Sequence, residues 1–214
     1  MEQNIEMKKQ LLSTASMHTA IGATLMYGIS ILSGFIAPEV SCLVSFNGLI
    51  LLAIGLYNLS TALRGINDTF ATSFKGMFKA IIMMGSAVIV SVIVAILLII
   101  LKGAMDFDNI DTIVTFIEIA LFVAIILFTN QLRATSMTLS KNGLKSMKYC
   151  GIAYTIKLVI FCIVGLLAFL GSLGLDGYII DLIIALTIVI VLAMITLCVF
   201  MLIGWWKVRG ELQR

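Results

Sequence analysis

Two ionisable residues lie inside runs of sequence that are otherwise almost wholly apolar. Glu118 stands in VTFIEIALFVAI, residues 114–125, and Lys157 stands in YTIKLVIF, residues 154–161. A lone charge in the middle of a bilayer costs about 3 kcal/mol on insertion scales. Each residue therefore needs a partner of opposite charge, a change of protonation state, or contact with water.

Polar neighbours share the helical faces of these two charges. A threonine precedes Glu118 by three residues, and a tyrosine precedes Lys157 by three, which is the spacing of one helical face. Counted from the ends of their spans, the two charges lie about 10 Å apart in depth, so we expect them to pair. The candidate ion pair or transport seam consists of Glu118, Lys157, Asn47, Asn58, Tyr154 and Thr115. Such a set would either lock helix packing or carry a proton or substrate.

The composition is that of a membrane protein. Of the 214 residues, 61% are hydrophobic and 12% are charged, and the mean hydropathy is +1.16. A soluble domain has about 25% charged residues. The net charge of +3 is too small to indicate nucleic-acid binding. We therefore expect an all-α integral membrane protein whose environment is the lipid bilayer.

Six runs are long enough to cross a bilayer, because a spanning helix needs about 20 apolar residues. They fall at approximately 19–37, 40–61, 79–101, 112–132, 150–171 and 180–204. Short connections pair them into three tight helical hairpins within a single six-span domain, residues 1–214. The pattern has a period of about seventy residues, which suggests repeat units at 1–66, 67–142 and 143–214.

The basic residues predict the orientation of the chain. Twelve of the fourteen Lys and Arg flank the spans on the side of the termini, one lies on the opposite side, and Lys157 is inside a span. The positive-inside rule then places both termini in the cytoplasm. The expected location is the plasma (inner) membrane.

The third span is predicted to start as a helix well before it reaches lipid. Gly65 is expected to end the preceding helix, and Asp68 or Thr69 is the expected N-cap. The helix would run from about residue 69 to 103, with similar extensions past the bilayer at 133–150 and 205–213.

An aromatic stripe follows this extension at helical spacing, through Phe70, Phe74 and Phe78. An apolar stripe outside the bilayer must be covered, by lipid headgroups, by the neighbouring extensions in a small helical bundle, or by another protein. Interleaved lysines would attract anionic lipid or an acidic partner surface. The predicted cytosolic partner face consists of Phe70, Phe74, Phe78, Lys75, Lys79, Lys141, Lys145 and Lys148.

Catalytic and metal-binding motifs are absent from the sequence. It has no H-E-x-x-H, no G-x-S-x-G, no phosphate-binding glycine loop, and a single histidine, His18. The four cysteines are isolated and are expected to pack as small apolar residues. We therefore expect no enzymatic activity, no cofactor and no metal.

Two classes of function remain. The first is a non-catalytic membrane component that binds a partner protein or forms a homo-oligomer, as an accessory subunit or in membrane stress or immunity. The alternative is a small transporter or channel that uses the seam around Glu118 and Lys157. A cavity that reaches Glu118 from one side would favour transport, and a dry, closed bundle would favour partner binding.

Overall fold

The computed structural model describes residues 2–29, 37–104, 110–172 and 176–213, and these ranges contain helices and turns but no strand. The helices are α1 Glu2–Ala23, α2 Pro38–Leu63, α3 Asp68–Ala104, α4 Ile110–Lys141, α5 Met147–Ser172 and α6 Asp176–Leu212. A π-helical turn, Thr24–Ile29, continues α1. The all-α class predicted from the sequence is confirmed for the described residues.

Within the described ranges, five helices are long and apolar enough to cross a membrane. The candidate spans are Leu43–Leu63, Asp68–Leu98, Ile113–Lys141, Met147–Leu167 and Val189–Leu212. They overlap the second to sixth predicted spans, and their length and composition are those of a multi-pass membrane protein. The first predicted span, 19–37, includes residues 30–36, which lie outside the described ranges.

The helices contact one another in chain order and close into a ring. Among the described residues, each helix packs on the next one in sequence, and α6 packs against α1. Hydrogen bonds from Gln213 to Ser13 and from Trp206 to Thr24 join α6 to α1 in antiparallel fashion. The first and last described segments therefore lie at the same end of the bundle.

We call this end of the bundle the basic end. It contains the start of α1, the end of α6 and the two turns at 64–67 and 142–146. Lys8 donates a hydrogen bond to the carbonyl of Arg64, at 3.2 Å, and so ties the first helix to the first turn. The carboxylate of Glu211 accepts hydrogen bonds from the backbone N–H and the hydroxyl of Ser146 and ties α6 to the second turn.

The core lies in the half of the bundle next to the basic end. Large side chains from the five helices α2 to α6 are fully buried there, including Leu56, Phe74, Leu139, Tyr154 and Trp205. In the opposite half, which we call the far half, α3 and α4 expose most of their apolar side chains. An apolar exterior is expected of a helix that faces lipid.

Glycines set the closest helix contact, between α1 and α2. A Cβ built on Gly22 would lie 2.5 Å from the backbone nitrogen of Leu52, and one on Gly48 would lie 2.6 Å from that of Met26. Only a residue without a side chain lets the two backbones approach so closely.

The two turns form at the glycines where the sequence predicted them. Gly65 has φ +78° and Gly143 has φ +123°, a region that L-residues with a Cβ rarely occupy. The N-cap of α3 is one residue earlier than predicted, because the side-chain oxygen of Asn67 accepts the N–H of Phe70. Asp68 instead accepts the N–H of Gly65 and closes the turn.

Candidate functional site

Glu118 lies on α4 in an open groove against α3. The groove has a volume of about 220 Å³. Among the described residues that line it, Glu118 is the one with a charged side chain. The rest of the wall is apolar or small, formed by Val88, Ser91, Val92, Ala95, Leu98, Val114, Ile117 and Leu121. A carboxylate is thus exposed in the far half, among apolar and small side chains.

Lys157 lies on α5 and contacts an aromatic ring instead of a carboxylate. Its ammonium group is 5.5 Å from the centre of the Phe161 ring, one helical turn further along. This distance is within the range of a cation–π interaction. Phe161 in turn meets Phe122 of α4 edge to face, with 6.2 Å between the ring centres.

Helix register separates the two charges. A Cβ on Gly151 would meet Met137, and one on Gly165 would meet Phe122. These two contacts show that α4 and α5 are antiparallel, and they define which residues of the two helices lie at the same height. Lys157 is then level with residues 130–131, twelve to thirteen residues along α4 from Glu118. At 1.5 Å per residue the offset is about 18 Å. The predicted ion pair does not form, because the depth counted from the span ends underestimated this offset.

The other members of the predicted seam are dispersed as well. Asn47 is exposed on α2, where its amide donates to the carbonyl of Leu43 in its own helix. Asn58 is partly buried on the same helix, and Thr115 is exposed on α4. Tyr154 is buried inside the ring. The structure therefore does not bring the six residues of the seam into one site.

Tyr154 faces a cluster that sequence reasoning did not find. It interacts with Tyr27, on the π-helical turn, and with Cys150, one turn earlier on α5. All three are buried. The Tyr154 hydroxyl forms no hydrogen bond of good geometry within the described part of the chain.

The predicted partner face divides into a buried part and an exposed part. Phe74 is 0% exposed inside the chain's own core, and Phe70 and Phe78 pack partly against that core. Phe74 is therefore unavailable to a partner, because the neighbouring helices of the same chain already cover it. The lysines of the predicted face are all exposed, at positions 75, 79, 141, 145 and 148.

The small residues that line the groove were not predicted from the sequence. Ser91 and Ala95 are four residues apart on α3 and line the groove opposite Glu118. The Ser91 hydroxyl donates to the carbonyl of Ala87, so its polarity is satisfied within α3. Small residues at this spacing allow a second helix to approach closely. The signal was present in the sequence as SVIVA, but its orientation toward Glu118 was not.

The described residues contain no group of three or more His, Cys, Asp or Glu side chains that could hold a metal ion. Comparison with protein-family models, with curated proteins and with solved structures finds no match. The function is therefore inferred from the geometry of the chain itself.

Proposed function

We propose that the chain is a non-catalytic, six-span membrane component that binds a transmembrane helix of another membrane protein in the groove between α3 and α4. In this proposal its spans form three hairpins, both termini are cytoplasmic, and the protein resides in the plasma (inner) membrane. The observation that carries the proposal is Glu118, an exposed carboxylate in an otherwise apolar groove of the far half. The groove reaches Glu118, but apart from this residue and Ser91 its described wall has no polar side chain that could bind a transported solute.

Lipid alone is a poor neighbour for this carboxylate. An ionised side chain in the hydrocarbon layer costs about 3 kcal/mol on insertion scales, and a neutral one still leaves a hydrogen-bonding group without a partner. A helix that brings a hydrogen-bond donor would remove this cost. The same helix would cover the apolar wall formed by Val92, Ile117 and their neighbours.

The shape of the groove supports a helix as its occupant. Ser91 and Ala95 form a small-xxx-small motif on α3 at the depth of Glu118. In membranes, helices associate through such motifs by close van der Waals packing, because the hydrophobic effect does not drive two helices together in lipid. A Lys, Arg, Asn or Gln on the incoming helix would then lie close to the carboxylate.

A second copy of this chain is the weaker choice of occupant. Copies in one membrane share their orientation, so each residue keeps its depth. Among the basic residues of the five candidate spans, Lys157 is closest in depth to Glu118, at an offset of about 18 Å. The exposed amide of Asn47 is nearer in depth, but it already donates to the carbonyl of Leu43 in its own helix. The donor is therefore expected from a different protein.

The test is site-specific photocrosslinking in native membranes. A photoreactive residue at Ala95 should give a protein adduct, whereas one at Phe116 should not. Phe116 is a matched control, since it is 69% exposed on α4 but does not line the groove. Glu118→Leu should abolish the Ala95 adduct, and Glu118→Gln should preserve part of it because the amide still forms hydrogen bonds.

Four results would overturn this proposal. Equal adducts at Ala95 and Phe116 would show that the groove is not selective, and survival of the adduct in Glu118→Leu would show that the carboxylate is not used. An adduct of twice the chain's mass would identify a second copy as the occupant. If Glu118→Gln kept the adduct but stopped a proton-coupled flux in vesicles, the transporter alternative would replace this one.

A further inference from the structure

A second groove, between α2 and α3, combines two cavities of opposite character. The larger has a volume of about 510 Å³, and its wall is apolar almost throughout. Phe46 and Ile50 contribute to it from α2, and Ile82 and Ile89 contribute from α3. This cavity lies toward the far half of the bundle.

The other cavity lies at the basic end and is polar. Its volume is about 440 Å³, and Arg64, Lys75 and Lys79 line it. One carboxylate, that of Asp68, is also present, but it is engaged by the N–H of Gly65 in the turn. Lys8 adds a further cation beside the turn, where its ammonium donates to the carbonyl of Arg64. The charge of this cavity favours an anion.

The two cavities are sections of one continuous groove. On α2, Ile50, Ile54 and Tyr57 line the apolar cavity, and Ser60 and Arg64 line the polar one, at steps of three or four residues. The face of α3 continues in the same way from Lys75 and Lys79 to Ile82. Steps of three and four residues follow a single helical face.

An aromatic pair marks the boundary between the two sections. The rings of Tyr57 and Phe78 lie 5.5 Å apart across the α2–α3 interface. Aromatic side chains favour the level of the lipid headgroups, where hydrocarbon meets water. The boundary of the groove thus has the chemistry of the membrane interface.

The length of each section matches the dimensions of a lipid. From Phe78 to Ile89 is eleven residues, or about 16 Å of helix. One leaflet contributes about half of the 30 Å hydrocarbon layer. With Phe78 at the interface, the apolar section has the depth of an acyl chain, and Lys75 and Lys79 have the depth of a phosphate group.

We infer that this groove is a binding site for an anionic phospholipid, with the phosphate between Lys75, Lys79 and Arg64 and an acyl chain along Ile82 and Ile89. A free phosphate would use the polar section alone, and an apolar helix would use the other section alone. An anionic lipid uses both, which is why it fits the groove as a whole.

The test is native mass spectrometry of purified protein exchanged into equal amounts of phosphatidylglycerol and phosphatidylcholine. The wild-type protein should retain phosphatidylglycerol in preference. K75Q/K79Q should retain it about 30-fold more weakly, because a lysine near an anionic surface contributes on the order of fivefold in affinity. K141Q/K145Q is the matched control, since it removes two exposed lysines of the same end that do not line the groove.

A second pair of variants tests the apolar section. Ile82→Trp should fill the groove and reduce retention, whereas Val90→Trp should not, because Val90 is exposed on α3 outside the groove. Equal losses in K141Q/K145Q, or equal retention of the two lipids, would overturn the inference. If inorganic phosphate stabilised the protein as well as the lipid did, and Ile82→Trp changed nothing, the site would be one for a free anion. A protein that copurified in place of lipid, and was lost in Ile82→Trp, would also overturn it.

Discussion

Lys157 illustrates how a cation is accommodated within an apolar helix. Its long stem crosses apolar surface, and its ammonium lies over the ring of Phe161, which neighbours Phe122 on α4. The negative face of an aromatic ring attracts a cation and needs no counter-charge. Lys157 and Glu118 therefore have separate environments, and their effects on stability should be separate.

A double-mutant cycle tests this independence. Glu118→Gln and Lys157→Met should change the free energy of unfolding additively, within about 0.5 kcal/mol, because residues without contact do not couple. The measurement is thermal unfolding of the wild type, both single variants and the double variant in one detergent. Phe161→Leu should couple to Lys157→Met but not to Glu118→Gln, which makes it the positive control. A recovery of more than about 1 kcal/mol in the double variant would show that the charges meet.

Residue type and spacing predicted some local features and missed others for physical reasons. The turns at Gly65 and Gly143 were predictable, since a positive φ selects glycine. The contact between Glu211 and Ser146 was not, because it joins residues 65 positions apart. A carboxylate at the start of α5 stabilises that helix through its dipole, but only the antiparallel packing of α6 on α5 brings Glu211 there.

At the level of elements, the length of α3 is the clearest prediction that the structure confirms. The sequence predicted a helix from about 69 to 103, and α3 extends from Asp68 to Ala104. The periodic stripe through Phe70 and Phe74 and the apolar run after it specify one uninterrupted helix. What covers the stripe was not predictable, because the three kinds of cover give the same pattern. The core of the chain itself covers Phe74.

The packing of α1 on α2 gives a prediction about glycine. Gly22→Ala should lower the free energy of unfolding by about 1–3 kcal/mol, because its Cβ would press on the backbone of Leu52. Gly76→Ala is the control, since Gly76 is also inside a helix but has no atom within 4 Å of its Cβ position. That change should be neutral or raise stability by up to about 1 kcal/mol through helix propensity.

Thermal unfolding in lipid-free detergent distinguishes the two glycine variants. Lipid is left out because Gly76 lines the polar section of the α2–α3 groove. Equal destabilisation by Gly22→Ala and Gly76→Ala would mean that the two helices do not pack as closely as the structure has them.

For the whole molecule, the two halves of the bundle have different packing and different exterior chemistry. The half at the basic end has a closed core around Trp205 and Phe74, whereas the far half opens grooves between neighbouring helices. Hydropathy predicted the second to sixth spans, and charge predicted which end of the bundle carries most of the basic residues. They could not predict the grooves, because the apolar residues of the groove walls have the same character as residues that face lipid. Ring closure and helix register decide which of these residues face one another.

The last prediction concerns which side of the membrane holds the basic end. Both turns and both described ends of the chain lie together there, so reporters placed after Asn142 and at the C-terminus must agree with each other. By the positive-inside rule both should be cytoplasmic, and a reporter after Asp108 should be external. Green fluorescent protein should therefore fluoresce at the first two positions, and alkaline phosphatase should be active only at the third. Disagreement between Asn142 and the C-terminus would contradict the antiparallel ring itself. Agreement with both external would leave the ring intact and reverse the orientation, which would place the α2–α3 lipid site in the outer leaflet.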